Sequence, residues 1–382
     1  MDMRRIIYVL IIIFVLILVI SISLKPIIIS LAKAQLNKVF IDSKVSIRGC
    51  NLKLLHALTL SGMEIKKGQI YDFKIKEVNI QYKPLSIINR NISKISLKDA
   101  LIIVNLRQDN ILGLSKHINL QPQKRIFLIN LIDLSNLDLD INSTDLILQA
   151  KLSVRLNLAK QLIDYLNLQI DSLKKAEFRL QKAYLEINQM PSYGQLYIEQ
   201  FKYNKVKIDK ITSIAKLKDK SLFLGPLTAD VFGGSIEGEI RFEIEKNGKY
   251  FMYLKFKDLD LNTLVNDFNL NEKVQINGRL DGAVTLKGIG LQINVLDGDF
   301  TTAEPGGTLT IKDTGFLEKI ARNSNQPLDI LVESFKDYHY NNGVMRLSLE
   351  GDNLILVIDL EGETGKRNLN IIVHNFKLRR EK

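Results

Sequence analysis

The sequence predicts a mainly β protein: an N-terminal transmembrane helix, then an elongated antiparallel array of strands with a few short helices. Three observations lead there. Apolar and charged residues alternate along most of the chain, one apolar run near the start is long enough to cross a bilayer, and no Gly/Ser-rich linker divides the remainder. The stretch "DVFGGSIEGEIRFEIE" (230–245) states the pattern most cleanly. Ile236, Gly238, Ile240, Phe242 and Ile244 share one parity, and Glu237, Glu239, Arg241, Glu243 and Glu245 the other. Successive side chains point to opposite faces of a strand, so one face is for water and the other for something apolar.

Taken in order, residues 1–5 form a short stub ahead of the apolar run from Ile6 through Ile13 to Leu24, which is Ile, Leu, Val or Phe except at Tyr8, Ser21 and Ser23. As a helix it would be roughly 28 Å long, close to the hydrocarbon thickness of about 30 Å. A cleavable signal peptide would have a shorter apolar region and a small-x-small site, and "SISLKPIIIS" offers none. Residues 6–24 therefore read as an uncleaved anchor. Lys25, Lys33 and Lys38 follow it as closely as Arg4 and Arg5 precede it, so positive charge does not set its orientation. The short stub favours a cytoplasmic N-terminus. Residues 25–40 read as an amphipathic helix at the membrane surface, with Pro26 near its start.

Strand patterns follow from residue 41. Phe73 and Ile75 alternate with lysines; the phase slips at Glu77, as at a bulge, and resumes at Val78, Ile80 and Tyr82. Leu137, Leu139 and Ile141 alternate with Asp138, Asp140 and Asn142, and a long period-2 run includes Leu152, Val154 and Leu156. Later runs hold Val274, Ile276, Leu280, Val284 and Leu286, then Leu356 and Ile358. Helical interruptions are expected around 84–89, 262–268, 316–322 and 327–338. Pro122, Pro191, Pro226 and Pro305 fall at junctions between patterns, where a missing N–H does little harm. Periodicity does not say what covers the apolar face: a second sheet, a closed barrel, a solenoid and an open groove all satisfy it.

Composition narrows the function classes. With 46% hydrophobic and 25% charged residues the chain is of an ordered kind. Its 53 Lys+Arg against 42 Asp+Glu give +11, which suits nucleic acid or an anionic membrane. The cations alternate with acidic and amide residues on strand faces, without a basic run flanked by stacking aromatics, so no nucleic-acid partner is expected. The single Cys50 excludes an internal disulfide and reads as a buried structural thiol. His56, His117, His339 and His374 show no metal-ligand spacing, and "YHY" around His339 reads as interface aromatics or a helix end. Gly288 and Gly290 lead into a strand pattern, not a helix, and "GETGKRN" lacks the P-loop spacing. Asp138 and Asp140 fit a solvated face. No enzyme, metal or cofactor is expected.

One stretch carries a family resemblance. Residues 231–313 run from "VFGGSIEGEIRFEIEKNGKYFMYLKFKDLDLNTLVNDF" into "INGRLDGAVTLKGIGLQINVLDGDFTTAEPGGTLTIKD". They resemble the C-terminal repeat of AsmA-like envelope proteins: the Gly233–Gly234 turn, the Asp258–Leu261 "DLDL" before a short helix, glycines 278, 282, 288 and 290, and the "LDGDF" strand. The last part, "LVESFKDYHYNNGVMRLSLEGDNLILVIDLEGETGKRNLNIIVHNFKL", is most similar to the YdbH-type branch, whose terminal domain was historically labelled a dicarboxylate transport domain. The resemblance implies an inner-membrane anchor carrying a β-taco, a curled sheet with an open apolar groove for lipid tails. It implies intermembrane phospholipid transport across the periplasm of a diderm bacterium. It divides the chain into 41–226 (N-terminal part of the groove), 227–313 (AsmA-like repeat) and 314–382 (YdbH-like terminal region).

The lining would comprise Leu152, Val154, Leu156, Ile236, Ile240, Phe242 and Ile244. It would continue through Met252, Leu254, Phe256, Val274, Ile276, Leu280, Val284, Leu286, Leu356 and Ile358. The partners implied are phospholipid acyl chains, the inner membrane, and an outer-membrane or periplasmic protein at the far end. An envelope assembly factor for outer-membrane biogenesis, or the dicarboxylate role, are the alternative functions. A single transmembrane helix and an apolar groove suit a small dianion badly.

Overall fold

The computed structural model describes residues 23–53, 56–106, 111–116, 118, 127–160, 162–188, 193–218, 221–244, 248–290, 292–313, 315, 317–318 and 327–373. The chain divides into two compact units, Met1–Gln189 and Met190–Lys382. Ile6 and Ile13 of the expected anchor lie outside the described residues. No helix among those described is long and apolar enough to cross a membrane. Leu24 lies in the first turn of helix α1, residues 23–39, whose Ile28, Ile29, Ala32 and Leu36 pack on the sheet against Ile47, Leu60 and Val78.

In the first unit the strands are β1 Lys44–Lys53, β2 Ala57–Lys67, β3 Tyr71–Gln81, β4 Asn91–Leu106, β5 Leu128–Ser143, β6 Ile147–Asn157, β7 Leu162–Lys175 and β8 Phe178–Asn188, with a short helix α2 at Pro84–Ile88. Each strand pairs with the next. The expectation of a purely antiparallel array fails at one place: β4 and β5 run parallel. Parallel neighbours need a crossover of a dozen or more residues, and the sequence between Leu106 and Leu128 is long enough for one. Register threads one apolar row through seven strands: Leu60, Val78, Leu97, Leu134, Val154, Leu166 and Ile187.

The phase slip near Glu77 belongs to a line. Ser61 pairs with Glu77 and Met63 with Ile75 without change of register, so the β2–β3 ladder itself holds no bulge there. Instead Arg48, Gly62, Lys76, Asp99 and Asn136 stand opposite one another on five successive strands, each at its strand's slip. Gly62, Asp99 and Asn136 have φ of 59°, 50° and 55°. A left-handed residue shifts the alternation by one, and Gly, Asn and Asp adopt it at least cost. Both halves of each strand thereby keep their apolar residues on one face. On the polar face Lys76 Nζ lies 2.8 Å from Asp99, and Asn136 Nδ2 donates to Asp99 at 2.9 Å, which pins the line across β3, β4 and β5.

The second unit holds β9 Tyr193–Tyr203, β10 Val206–Lys218, β11 Ser221–Val231, β12 Gly234–Glu243, β13 Lys249–Asp260, β15 Arg279–Ile289, β16 Gln292–Thr302, β19 Asn342–Glu350, β20 Asn353–Gly362 and β21 Gly365–Val373. They pair antiparallel in that order. A second sheet forms from β14 Val274–Ile276, β17 Gly307–Ile311 and β18 Tyr338–Tyr340. Helix α3, Leu261–Asp267, starts where the Asp260 carboxylate accepts from Thr263 N at 2.8 Å.

Two expectations need correction here. The helix expected over 327–338 is α4, Leu328–Ser334, and Tyr338 at the end of that range joins β18 instead, because Tyr338 and Tyr340 alternate with exposed His339 and are buried. The "YHY" residues are thus interface aromatics: Tyr338 Oη donates to Gly365 O at 2.6 Å, and Tyr340 Oη to Asn277 O at 2.5 Å. Pro226 lies inside β11, not at a junction, where a register shift between Leu224 and Leu227 excuses its missing N–H. The region expected to be helical over 316–322 falls mostly outside the described residues.

Asp133 is the polar tie of the first unit, 2.6 Å from Lys94 on β4 and 3.2 Å from Arg155 on β6. Burial pushes its carboxyl up, but the Lys94 and Arg155 hydrogen bonds and charges outweigh that and hold it below the usual aspartate value. The contribution is present above the unfolded aspartate pKa of about 3.9 and is lost as pH falls through the depressed folded value. Asp133→Asn should lower stability at pH 7 by about 1–2 kcal/mol. In denaturant titrations at stepped pH, that deficit should shrink below about pH 4; a deficit unchanged down to pH 2 would refute the tie.

Candidate functional site

The site is the apolar face of the second unit's main sheet. Three cross-strand rows build it. The first runs Ile236, Phe256, Gly282, Phe300, Met345, Ile358 and Leu369. The second runs Gly238, Leu254, Val284, Gly298, Leu347, Leu356 and Ile371. The third runs Ile240, Met252, Leu286 and Leu296. Period-2 alternation in each strand and fixed register between strands are together enough to make the face continuous.

Cover is graded along the strands. Ile236 is 5% exposed, Ile240, Met252, Leu254, Phe256, Val284 and Leu286 are half-buried, and Phe242 and Ile244 reach 41% and 49%. The buried end lies under α3 and the small sheet: Leu259, Leu261, Leu280 and Phe300 form one cluster with Ile236. Val274 and Ile276, read from sequence as lining of the same sheet, stand on β14 and face it from above. Leu280, Leu356 and Ile358 stand below them. Leu152, Val154 and Leu156 lie on β6 of the first unit, Val154 buried and the other two half-buried.

The opposite face is charged, with Glu237 opposite Lys255 and Asp299 opposite Arg346. It also holds aromatics that the alternation did not single out. The Arg241 guanidinium lies 5.6 Å from the Phe223 ring and 6.0 Å from Phe251, and Lys287 Nζ lies 5.6 Å from Phe251. These cations cover the rings on the water side. The signal was present in sequence, since Phe251 shares a parity with Tyr253 and Lys255.

Among the described residues no group of His, Cys, Asp or Glu is placed to hold a metal. Tyr184 is pushed up to about 12 chiefly by donating to Glu186 at 2.5 Å, a tie within one strand. Tyr340 reaches about 12 by burial. Cys50 is half-buried at the edge of the α1 cluster, and burial raises its thiol. Gly290 closes a turn between β15 and β16, so no helix follows the GxG.

Gly282 sets the level of the first row. A Cβ there would collide with the Phe300 ring, which lies across it and packs 5.7 Å from Phe256. Gly282→Val should destabilise the fold by about 2 kcal/mol. Gly290→Ala, which meets nothing within 4 Å, separates crowding from strain: its cost at φ 59° should be the smaller, about 1 kcal/mol. Equal losses in thermal unfolding would mean the Phe300 contact does not matter.

No curated protein and no solved structure matches the chain. Residues 212–361, all within the second unit, match the family model described as YdbH-like: Intermembrane phospholipid transport protein YdbH, so the YdbH-type AsmA-like resemblance is shown over that stretch.

Proposed function

We propose that this chain is a membrane-anchored, non-enzymatic conduit that carries phospholipid acyl chains along its apolar sheet face between two membranes of a cell envelope. The observation that carries the reading is the coincidence of two things in one stretch. Residues 212–361 match the phospholipid-transport family, and they contain the three apolar rows, apart from Leu369 and Ile371 at their ends, with their graded exposure. Each methylene leaving water gains about 0.8 kcal/mol. The half-buried rows carry no polar hook to hold one tail in one place, so near-equivalent positions succeed one another. The apolar run 6–24 would anchor the chain in the inner membrane with its N-terminus cytoplasmic and its bulk periplasmic. Leu152 and Leu156 would extend the lipid-contacting surface in the first unit.

The test is photo-crosslinking in cells at Ile240 and Phe242, with Arg241 and Glu243 as opposite-face controls. The reading expects phospholipid adducts at the even positions alone. Adducts to this chain's own strands, or to another polypeptide, would replace it with a closed sandwich or with an assembly factor.

A further inference from the structure

Between the main sheet and its roof lies a cavity of about 200 Å³. Its floor includes Leu280, Leu356 and Ile358, and its roof Val265, Ile276 and Leu309. The lining is wholly apolar. Of the side chains there that carry a polar atom, Tyr340 spends its hydroxyl on Asn277 O, and Thr302 Oγ1 is buried with no hydrogen-bond partner among the described residues. Protein interiors rarely keep voids larger than a water molecule, and an apolar void holds no water to fill it. For scale, an engineered cavity of about 150 Å³ takes up benzene or xenon.

The cavity is not isolated. Leu356 on its floor belongs to the row that continues through Leu347, Gly298, Val284 and Leu254, across β19, β16, β15 and β13. Gly298 presents no side chain, so the row dips between Val284 and Leu347. Five strands at about 4.8 Å spacing make this path roughly 19 Å long. We infer that the cavity is a seat for the methyl end of one acyl chain, which lies across the strands along that row with its ester end towards β13. At roughly 30 Å³ per methylene, taking the volume share of a liquid water as the unit, it holds about six or seven carbons. The small sheet and α3 are then the end stop of the lipid path in this unit. This inference rests on the proposed lipid-carrying role.

The experiment uses the full chain in vesicles of phosphatidylethanolamine and phosphatidylglycerol. One of two probe phosphatidylethanolamines is added, bearing a diazirine either at the acyl methyl end or beside the ester. The methyl-end probe should label Val265, Ile276 or Leu309, and the ester-side probe Met252 or Leu254. Val265→Phe and Leu309→Trp each take away the room of about two methylenes and should cut methyl-end labelling roughly tenfold, with ester-side labelling kept. Thermal unfolding reports whether each variant is folded. If neither is, the wild-type labelling pattern decides alone. Methyl-end labels spread evenly over the open face would overturn the seat and leave the lipid role standing. No label from either probe would overturn both.

Discussion

Everything in this fold depends on every strand turning its apolar side chains to the same face. In a short strand, alternation does that unaided. In strands of up to 16 residues, twist and curvature spoil the match, and a slip of one residue would send half the apolar set to water. The protein solves this by aligning the slips across strands along Arg48, Gly62, Lys76, Asp99 and Asn136, with Gly62, Asp99 and Asn136 left-handed. The rows of leucine, isoleucine and valine stay intact across that line, and the polar face is stitched along it by Asp99.

A continuous apolar face then needs cover, and the two units obtain it differently. In the first, α1 lies on β1 to β4, burying Ile47 and Leu60. In the second, α3 and the small sheet roof one end of the strands and leave Phe242 and Ile244 exposed at the other. Ile240 and Phe242 are less deeply covered than Ile236. Ile27 and Leu31 of α1, 54% and 60% exposed, make a second apolar stripe on a helix that directly follows the apolar run.

Much of this was legible in the sequence. The alternation in 230–245 assigns Ile236, Ile240 and Phe242 to one face and Arg241 to the other, and register confirms that division. The helix after "DLDL" and its Asp260 cap follow from local chemistry. What was not legible depends on partners distant in sequence. Alternation is the same for parallel and antiparallel neighbours, so the β4–β5 reversal leaves no trace in it. The slip at Glu77 was visible, but its alignment with Gly62 and Asp99 exists only in the register. Val274 and Ile276 have the parity of the neighbouring strand, yet the break at Gly278, with φ 127°, sends them to another sheet. The cavity is a product of that second sheet, which no local pattern announces.

The most direct test of the central claim is the amount of phospholipid that leaves the membrane with the purified chain. Native mass spectrometry of the full chain would be compared with a variant carrying Ile240→Asp and Leu286→Asp, two members of the third row. The account predicts bound phospholipid in the wild-type chain and its loss in a variant that still folds. A wild-type chain free of phospholipid, or a folded variant that retains as much, would contradict it.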